Sequence, residues 1–257
     1  MRLTRKILKA ACLGTSDSMI KIGVMYHLGD GVKINYKAAM KWFKKAVKLG
    51  NADAMNKVGY LYHFGHGVKK DLIKAREWYE KAAYAGSPKS MYNLGVIYYS
   101  KNSVEKNFKK AVYWYEKALE VDNTDVSEIL NLGDIYYFNK RIKNHFEKAF
   151  EWYEKAVALG NSDAMFFIGI MYKNGEGVEK NFEKAVQCYK KAVALGHSGA
   201  MNNLGVMYEN GEGVERNVYK AYQLYKKAAQ IGNDLAKSNL EKLRKKVSVT
   251  KNKKSRR

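Results

Sequence analysis

One sequence unit occurs six times in this chain, and that repetition limits the folds available to it. A glycine recurs at intervals of 36, 36, 38, 36 and 36 residues, with a tyrosine three residues beyond each glycine. The glycines are Gly23, Gly59, Gly95, Gly133, Gly169 and Gly205. Such a period is typical of solenoids, whose units stack because no unit buries its apolar face alone. Positions within a repeat are counted from its glycine, which is position 0.

Each repeat contains two stripes of apolar or small residues with helical spacing. In the second repeat these stripes are Met55, Val58, Gly59 and Tyr62, followed by Ala75, Trp78, Tyr79 and Ala82. Within each stripe the spacing is i, i+3, i+4 and i+7, which places the residues on one face of an α-helix. The pattern therefore predicts two amphipathic helices per repeat. A glycine inside a helix is unfavourable by about 1 kcal/mol, so we expect the neighbouring helix to approach it closely.

Further glycines predict where the helices end. Four repeats carry Gly-x-Gly-Val between the two stripes, and five carry a glycine after the second stripe. Glycine readily adopts the positive φ that ends a helix. Repeats 3 and 4 differ, because their turns read Lys101-Asn102-Ser103 and Asn139-Lys140-Arg141, and two extra residues precede Asp125. We expect the rise or curvature of the stack to change there, whether through drift in a tolerant loop, which we favour, or through a functional break.

The residues of repeat 6 resemble a known repeat family. The resemblance rests on Ala200, Leu204, Gly205, Tyr208, Gly211, Gly213, Val214, Lys220, Ala221, Tyr225, Lys227, Ala228, Ala229 and Gly232. Together they are similar to the signature of the Sel-one-like repeat, a relative of the tetratricopeptide repeat, and the match covers about residues 17 to 232. The resemblance implies an all-α fold, an α-α superhelical solenoid of about six 36-residue helical pairs with half-repeat caps. It also implies a non-enzymatic scaffold or adaptor that binds other proteins.

The repeat pattern divides the chain into three parts. Residues 1–16 match the end of a second helix and predict an N-terminal half repeat that acts as a cap. Residues 17–241 form the predicted solenoid with a C-terminal capping helix, and residues 242–257 form a basic tail that we expect to be disordered. The tail contains nine basic residues and no acidic ones.

The basic tail allows three interpretations. The net charge is +22, but most of the excess lies at the two termini. The tail is similar to a bipartite nuclear import signal, it also suits nonspecific binding to RNA or an anionic membrane, and it suits a solubilising role. The residues concerned are Arg244, Lys245, Lys246, Lys253, Lys254, Arg256 and Arg257. Lysine also recurs at +22 of every repeat, where we expect it to face solvent.

Other features favour an intracellular protein. The chain has no apolar run of 18 residues, and its two cysteines do not form a disulfide framework. We expect a cytoplasmic location. The alternatives are the nucleus, or the host-cell cytoplasm if the source is a virus or an intracellular bacterium.

The motifs that suggest chemistry do not form a catalytic or metal site. Gly175-Glu176-Gly177 lacks the third glycine of a dinucleotide fingerprint, and no strand precedes it. His27 and His63 occupy the same repeat position and His66 lies nearby, but neither carboxylates nor cysteines recur in that phase. We therefore expect no catalytic residues, no metal, no cofactor and no small-molecule substrate.

Variation among the repeats predicts a partner-binding groove. By resemblance to tetratricopeptide domains, positions −3, +1, +4 and +5 of the first helices line a concave wall. The predicted groove residues are Asn56, Tyr60, His63, Tyr92, Tyr99, Asn131, Tyr137, Phe138, Phe166 and Asn202. Aromatic residues dominate binding hot spots, which favours anchoring of a peptide or protein surface by the central repeats.

Two alternatives remain open at this stage. Several of the aromatic residues could pack between repeats, and the asparagines at −2, such as Asn131 and Asn203, could fasten one helix to the next. Our leading prediction is a protein-protein interaction scaffold whose partner is a protein or peptide. The second is a basic protein that binds RNA or anionic membrane through its termini.

Overall fold

The fold consists of paired helices, as the repeat pattern predicts. The computed structural model describes residues 14–100, 107–121 and 126–254, and in these ranges the chain forms thirteen helices and no strand. The helices are α1 Ser16–Leu28, α2 Tyr36–Val47, α3 Ala52–Phe64, α4 Leu72–Tyr84, α5 Pro88–Tyr99, α6 Phe108–Val121, α7 Val126–Phe138, α8 His145–Ala158, α9 Ser162–Asn174, α10 Phe182–Ala194, α11 Ser198–Asn210, α12 Val218–Gln230 and α13 Asp234–Lys254. The all-α solenoid of six helical pairs is confirmed. The predicted N-terminal cap lies outside the described residues, apart from its last positions.

The chain divides into two compact units. Unit 1 ends at Glu128 and unit 2 begins at Ile129, so the boundary falls in the first turn of α7. Unit 1 contains α1 to α6, and unit 2 contains most of α7 and all of α8 to α13.

Polar residues before the helices set their first turns. The side chains of Asn51 and Asn161 accept hydrogen bonds from the backbone N–H groups of Ala54 and Ala164 at 3.0 and 2.8 Å. Asp71 caps α4 in the same way. Each such cap satisfies a backbone donor that the helix itself leaves unpaired, and is worth about 1 kcal/mol.

The glycine at position 0 packs directly against an aromatic ring at +20. A Cβ atom built on these six glycines would lie between 2.4 and 2.7 Å from a ring carbon of the second helix. The ring belongs to Phe43 in repeat 1 and to a tyrosine in the others, namely Tyr79, Tyr115, Tyr153, Tyr189 and Tyr225. All six rings are fully or almost fully buried. The predicted close approach of the two helices is therefore confirmed, and it explains the helical glycines.

The second glycine of the Gly-x-Gly turn touches the preceding repeat. At Gly177 the φ angle is +68°, and a Cβ atom there would lie 2.6 Å from the carbonyl carbon of Phe146 at the start of α8. Repeat 4 has no such glycine, and its turn instead places Asn144 at a φ of 53°. The turn of repeat 3, at 101–106, and the insertion at 122–125 lie outside the described residues.

The tryptophan column at +19 is less buried than the ring column at +20. Trp42, Trp78 and Trp152 are half-buried, and only Trp114 of this column is buried. The predicted solvent-facing lysines at +22 are exposed in five repeats, whereas Lys117 is half-buried. In the repeats of Trp42, Trp78 and Trp152, the lysine Nζ atoms lie 3.8 to 4.7 Å from the indole centroids. The main packing contact within a repeat is therefore made by the residue at +20.

The C-terminal helix runs past the predicted boundary at residue 242. Helix α13 continues to Lys254, and Leu243 is buried together with Leu240 and Ala236. These three residues follow the i, i+4, i+7 spacing of a helical stripe, which extends the packed surface into the region predicted as a disordered tail. Residues 242–246 thus belong to the solenoid. Among the helices that the structure describes, none is long and apolar enough to span a membrane.

Candidate functional site

In unit 2, the buried tyrosines at +20 have polar partners on first helices. The Tyr153 hydroxyl donates to Asp134 at 2.8 Å, and the Tyr225 hydroxyl donates to Glu209 at 3.0 Å. The Tyr189 hydroxyl accepts from the Asn203 amide at 3.3 Å. Burial raises the pKa of Tyr189 and Tyr225, and it also raises the pKa of Asp134. Tyr153 stacks on Phe167 as well, with ring centroids 5.0 Å apart.

In unit 1, the corresponding hydroxyl of Tyr79 lacks a partner. This side chain is fully buried, yet its hydroxyl forms no hydrogen bond. The His63 ring lies 6.2 Å from the Tyr79 ring, and the Nδ1 atom of His63 is also buried without a partner. Burial lowers the pKa of His63, and the charge of Lys70 lowers it further. Two buried polar atoms therefore remain unsatisfied here, which is uncommon in a folded protein.

Repeat 1 differs again, because the residue at +20 is Phe43 and carries no hydroxyl. A cavity of about 240 Å³ lies beside this ring. It is lined by Val24, His27, Leu28, Phe43, Lys57, Tyr60 and Leu61, which we call the repeat 1–2 pocket. Val24, Phe43 and Leu61 supply apolar surface, whereas His27, Lys57 and Tyr60 supply polar atoms. None of the seven lining residues carries a carboxylate.

A histidine pair joins repeats 1 and 2 beside this pocket. His27 Nε2 lies 3.1 Å from His66 Nδ1, a hydrogen bond that requires one of the two nitrogens to carry the proton. Tyr36 stacks on His66 with ring centroids 4.6 Å apart. Burial lowers the pKa of His27, and the charges of His66 and Lys57 act in the same direction. These effects favour the neutral form of His27.

The same two repeat positions are joined differently in unit 2. His27 occupies +4 and His66 occupies +7 of the next repeat, and the equivalent residues in repeats 4 and 5 are Tyr137 and Glu176. The Tyr137 hydroxyl donates to Glu176 at 2.8 Å. Burial and this carboxylate both raise the pKa of Tyr137. Next to Tyr137, Phe138 is 61% exposed and contacts Phe167 at 6.0 Å between centroids.

Two predicted groove residues are buried between repeats instead. The Asn56 amide donates to the Ser90 hydroxyl of α5 at 2.7 Å, and the Asn202 amide oxygen accepts from Asn239 of α13 at 2.9 Å. Each is only 6% exposed. The prediction of a ligand-facing side chain at these two positions is wrong, because the first helix of the following repeat covers position −3.

Other predicted residues also contact neighbouring helices. Phe166, at −3 of repeat 5, stacks on His197 with centroids 4.5 Å apart. Tyr92 lies 5.6 Å from Tyr115, and Tyr99 lies 6.0 Å from Phe108. All three contacts lie within a single repeat, so they differ from the alternative in which these aromatic residues pack between repeats.

The asparagine column at −2 gives a mixed result. Asn203 fastens α11 to Tyr189 of the preceding repeat, as one of the two alternatives predicts. Asn131, at the same position in repeat 4, is half-buried.

Residues at positions +1, +4 and +5 line the repeat 1–2 pocket. Tyr60 lines the repeat 1–2 pocket, together with His27 and Leu28 of the same predicted columns. His63 lies next to this pocket through its stacked neighbour Phe64, whose ring centroid is 4.4 Å from that of Tyr60.

Sequence reasoning missed Phe43, Lys57 and His66 as parts of this site. One signal for Phe43 is visible in the sequence, since it is the sole phenylalanine in a column of five tyrosines. His66 is harder to find, because its contact with His27 depends on how consecutive turns stack. Among the described residues, no group of three or more His, Cys, Asp or Glu side chains could hold a metal ion.

Part of the predicted basic tail is engaged in intramolecular contacts. The Arg244 guanidinium donates to the Tyr222 hydroxyl at 3.3 Å, and the Lys246 ammonium lies 2.7 Å from Glu209. Lys253 and Lys254 fall within the backbone span of α13. Arg256 and Arg257 lie outside the described residues.

Comparisons with known proteins agree with this architecture. The Sel1 repeat family matches six segments, at residues 16–51, 52–87, 88–123, 129–161, 162–197 and 198–233. A protective antigen of uropathogenic Escherichia coli with an SLR fold is 32% identical, with a TM-score of 0.79. That match covers 93% of this chain and 51% of the antigen, so the chain spans about half of its length.

Two further structures show the same type of fold. A Sel1 repeat protein from Oxalobacter formigenes is 27% identical, with a TM-score of 0.67, and the match covers 84% of this chain and 85% of that protein. YrrB, a TPR protein with an unusual peptide-binding site, is 22% identical, with a TM-score of 0.53 and coverage of 77% and 97%. No protein with a curated description matches the chain.

Proposed function

The chain belongs to the Sel1 repeat family, and we propose that it is an interaction scaffold whose repeat 1–2 pocket binds a peptide segment of a partner protein. Proteins built from Sel1-like or tetratricopeptide-like repeats are typically protein-interaction scaffolds. The observation that carries the proposal is the pocket itself, which lies at the predicted groove positions +1, +4 and +5.

The size and lining of the pocket favour one side chain of a peptide. Small-molecule and cofactor sites usually enclose about 300 to 1,000 Å³, whereas this pocket encloses about 240 Å³. Its rim continues into exposed apolar surface, because Leu28 is 64% exposed and Phe64 is 51% exposed. A pocket for an apolar anchor that continues into exposed apolar surface suits peptide recognition.

A non-enzymatic role fits the same residues. Folds of this type are typically non-catalytic scaffolds. The pocket lining contains no serine, threonine or cysteine that a neighbouring histidine would activate as a nucleophile. We propose neither a cofactor nor a small-molecule substrate for this chain.

The alternative partner class, RNA or anionic membrane, depends on the basic C-terminal residues. Of these, Arg244 and Lys246 already contact Tyr222 and Glu209 within unit 2. Charges held in such contacts are less available to phosphate groups, so we place peptide binding first.

Selection from a displayed library of random octapeptides tests the proposal. We expect peptides that bind the full-length protein and lose binding when Tyr60→Ala removes one wall of the pocket. Phe138→Ala is the matched control, since it removes an exposed aromatic residue at +5 in unit 2. If every selected peptide binds Tyr60→Ala as well as the parent, or if Phe138→Ala alone abolishes binding, the binding site is not the repeat 1–2 pocket.

A further inference from the structure

We infer that the repeat 1–2 pocket selects peptides in which a bulky apolar residue lies next to an aspartate or glutamate. This inference rests on the proposed function and adds the chemistry of the partner. Two features of the pocket carry it: an apolar floor that exists in repeat 1, and a rim that offers cations and hydrogen-bond donors without any acid.

The apolar floor results from Phe43, which differs from the tyrosine of the other five repeats, together with an aliphatic residue at +1 of the kind that repeats 3, 5 and 6 also carry. At +20 the hydroxyl of the other repeats is missing in Phe43, and at +1 the residue is Val24. In repeat 4 the same two positions are Tyr153 and Asp134, whose hydrogen bond fills this space with polar atoms. In repeat 1 no polar atom of this pair needs a partner, so an apolar side chain can enter without leaving a buried group unsatisfied.

The residues that line the pocket are cationic or neutral. Lys57 is exposed at the edge of the pocket, and the pocket lining includes no carboxylate that would neutralise it. His27 and Tyr60 lie on the same rim, and Lys57 is close enough to His27 to lower the pKa of that histidine. A ligand carboxylate would therefore find attraction and no acidic competitor, whereas a basic peptide would meet like charge.

The unsatisfied atoms next to the pocket favour the same ligand chemistry. The Tyr79 hydroxyl is a buried donor without an acceptor, and the neutral His63 ring has an unpaired Nδ1. Tyr60 links the pocket to His63, because it lines the pocket and its ring contacts Phe64, which stacks on His63. Oxygen acceptors on a bound segment, whether side-chain carboxylates or backbone carbonyls, are the groups that the Tyr79 hydroxyl requires and, in the tautomer with a proton on Nδ1, His63 as well.

The test compares peptide pools selected on two proteins. A library of random octapeptides is selected on the full-length chain and, in parallel, on Phe43→Tyr, which restores the hydroxyl of the other five repeats. We expect the parent pool to combine Leu, Ile, Met or Phe with Asp or Glu within two positions. The Phe43→Tyr pool should lose this combination, because the added hydroxyl enters the apolar floor. Tyr153→Phe, the reverse change in unit 2, serves as the control and should leave the parent pool unchanged.

Affinity and salt dependence of one peptide from the parent pool give a second readout. Anisotropy of the labelled peptide should show about tenfold weaker binding to Lys57→Gln, with a smaller loss of affinity between 50 and 300 mM salt, values chosen to span about a twofold change in Debye length. Circular dichroism of Lys57→Gln should match the parent, because this lysine is exposed.

The outcomes separate the inference from the proposed function. Peptides that depend on Phe43 but lack acids, or that prefer Lys and Arg, overturn the inference and leave peptide binding at this pocket intact. A pool that is identical on parent and Phe43→Tyr overturns the inference, and it overturns the proposed function as well only if Tyr60→Ala also leaves binding unchanged. No enrichment on either protein overturns both.

Discussion

Repeats 1 and 2 of unit 1 and repeats 4 and 5 of unit 2 use the same backbone positions with opposite polar outcomes. In repeats 4 and 5, the Tyr153 hydroxyl is bonded to Asp134 and the Tyr137 hydroxyl to Glu176. In repeats 1 and 2, the Tyr79 hydroxyl has no partner, and the link between repeats is a pair of histidines, His27 and His66. The same pairing of helices thus leaves the Tyr137 and Tyr153 hydroxyls hydrogen-bonded in unit 2. In unit 1 it leaves the Tyr79 hydroxyl without a partner and a pocket beside Phe43. The repeat architecture therefore specifies which positions contact each other. The residue types at those positions decide whether the contact is a hydrogen-bonded pair or leaves a pocket that a ligand can enter.

The largest expected effect tests the buried ring at +20, which packs on a helical glycine in both regions. Tyr79→Ala and Tyr153→Ala should each lower the free energy of unfolding by about 3 to 5 kcal/mol, because each removes a fully buried ring that packs on a helical glycine. Trp78→Ala and Trp152→Ala should cost less, about 1 to 3 kcal/mol, since these rings are half-buried. Urea unfolding followed by circular dichroism measures all four. A tryptophan variant less stable than its tyrosine counterpart would show that the ring at +20 is not the main contact of a repeat.

A smaller effect tests the polar difference between the regions. Tyr153→Phe should cost about 1 to 3 kcal/mol, because the partly buried Asp134 carboxylate loses its hydrogen-bond donor. Tyr79→Phe should change stability by less than about 0.5 kcal/mol or increase it slightly, since its hydroxyl forms no bond to lose.

Native-state hydrogen exchange read separately for α4 and α8 measures both tyrosine-to-phenylalanine variants. Equal losses in the two repeats would mean that the Tyr79 hydroxyl is bonded in solution, and the contrast between the regions would then disappear.

Much of the fold could be predicted from the sequence, because the period and the two helical stripes are local features. The spacing of 20 residues between Gly133 and Tyr153, for example, recurs between the glycine and an aromatic residue in every repeat. This recurrence predicts that the two positions contact each other. The end of the solenoid was harder to predict, since the charge-rich composition of α13 hides a short stripe that includes Leu240 and Leu243.

The candidate site was predicted in part. Tyr60 and His27, at positions +1 and +4, both line the repeat 1–2 pocket, because the residue pattern places them on the same face of their respective helices. Position −3 failed at Asn56, since burial there depends on the rotation between successive repeats, which no single repeat encodes. The His27–His66 contact also requires that geometry, together with the conformation of a glycine turn.

The smallest expected effect is a difference between the regions in their response to acid. Burial lowers the pKa of His27 and His63 below the usual value of 6.5, and nearby positive charges add to the effect. The unfolded chain therefore binds protons more readily than the folded one, so folding loses free energy as the pH falls through about 6.5 and the loss levels off below the folded pKa values. In repeats 4 and 5 the equivalent link is Tyr137–Glu176, and the raised pKa of Tyr137 places its titration in alkali. Hydrogen exchange of α1 and α3 should accelerate between pH 7 and pH 5, after correction for the intrinsic pH dependence, more than that of α7 and α9.

Transplanting the unit 2 link into unit 1 sharpens this prediction. The double variant His27→Tyr with His66→Glu replaces the histidine pair by the pairing found at Tyr137 and Glu176, and a glutamate titrates mostly below pH 5. It should remove the part of the acid response that comes from His27 and leave the part that comes from His63. His63→Gln alone should remove the remainder, and the two changes should add, provided that the rings do not share a proton. If α1 and α3 keep their full acid response in the triple variant, the titrating groups lie elsewhere in unit 1, and the lowered pKa values of these histidines do not control its stability.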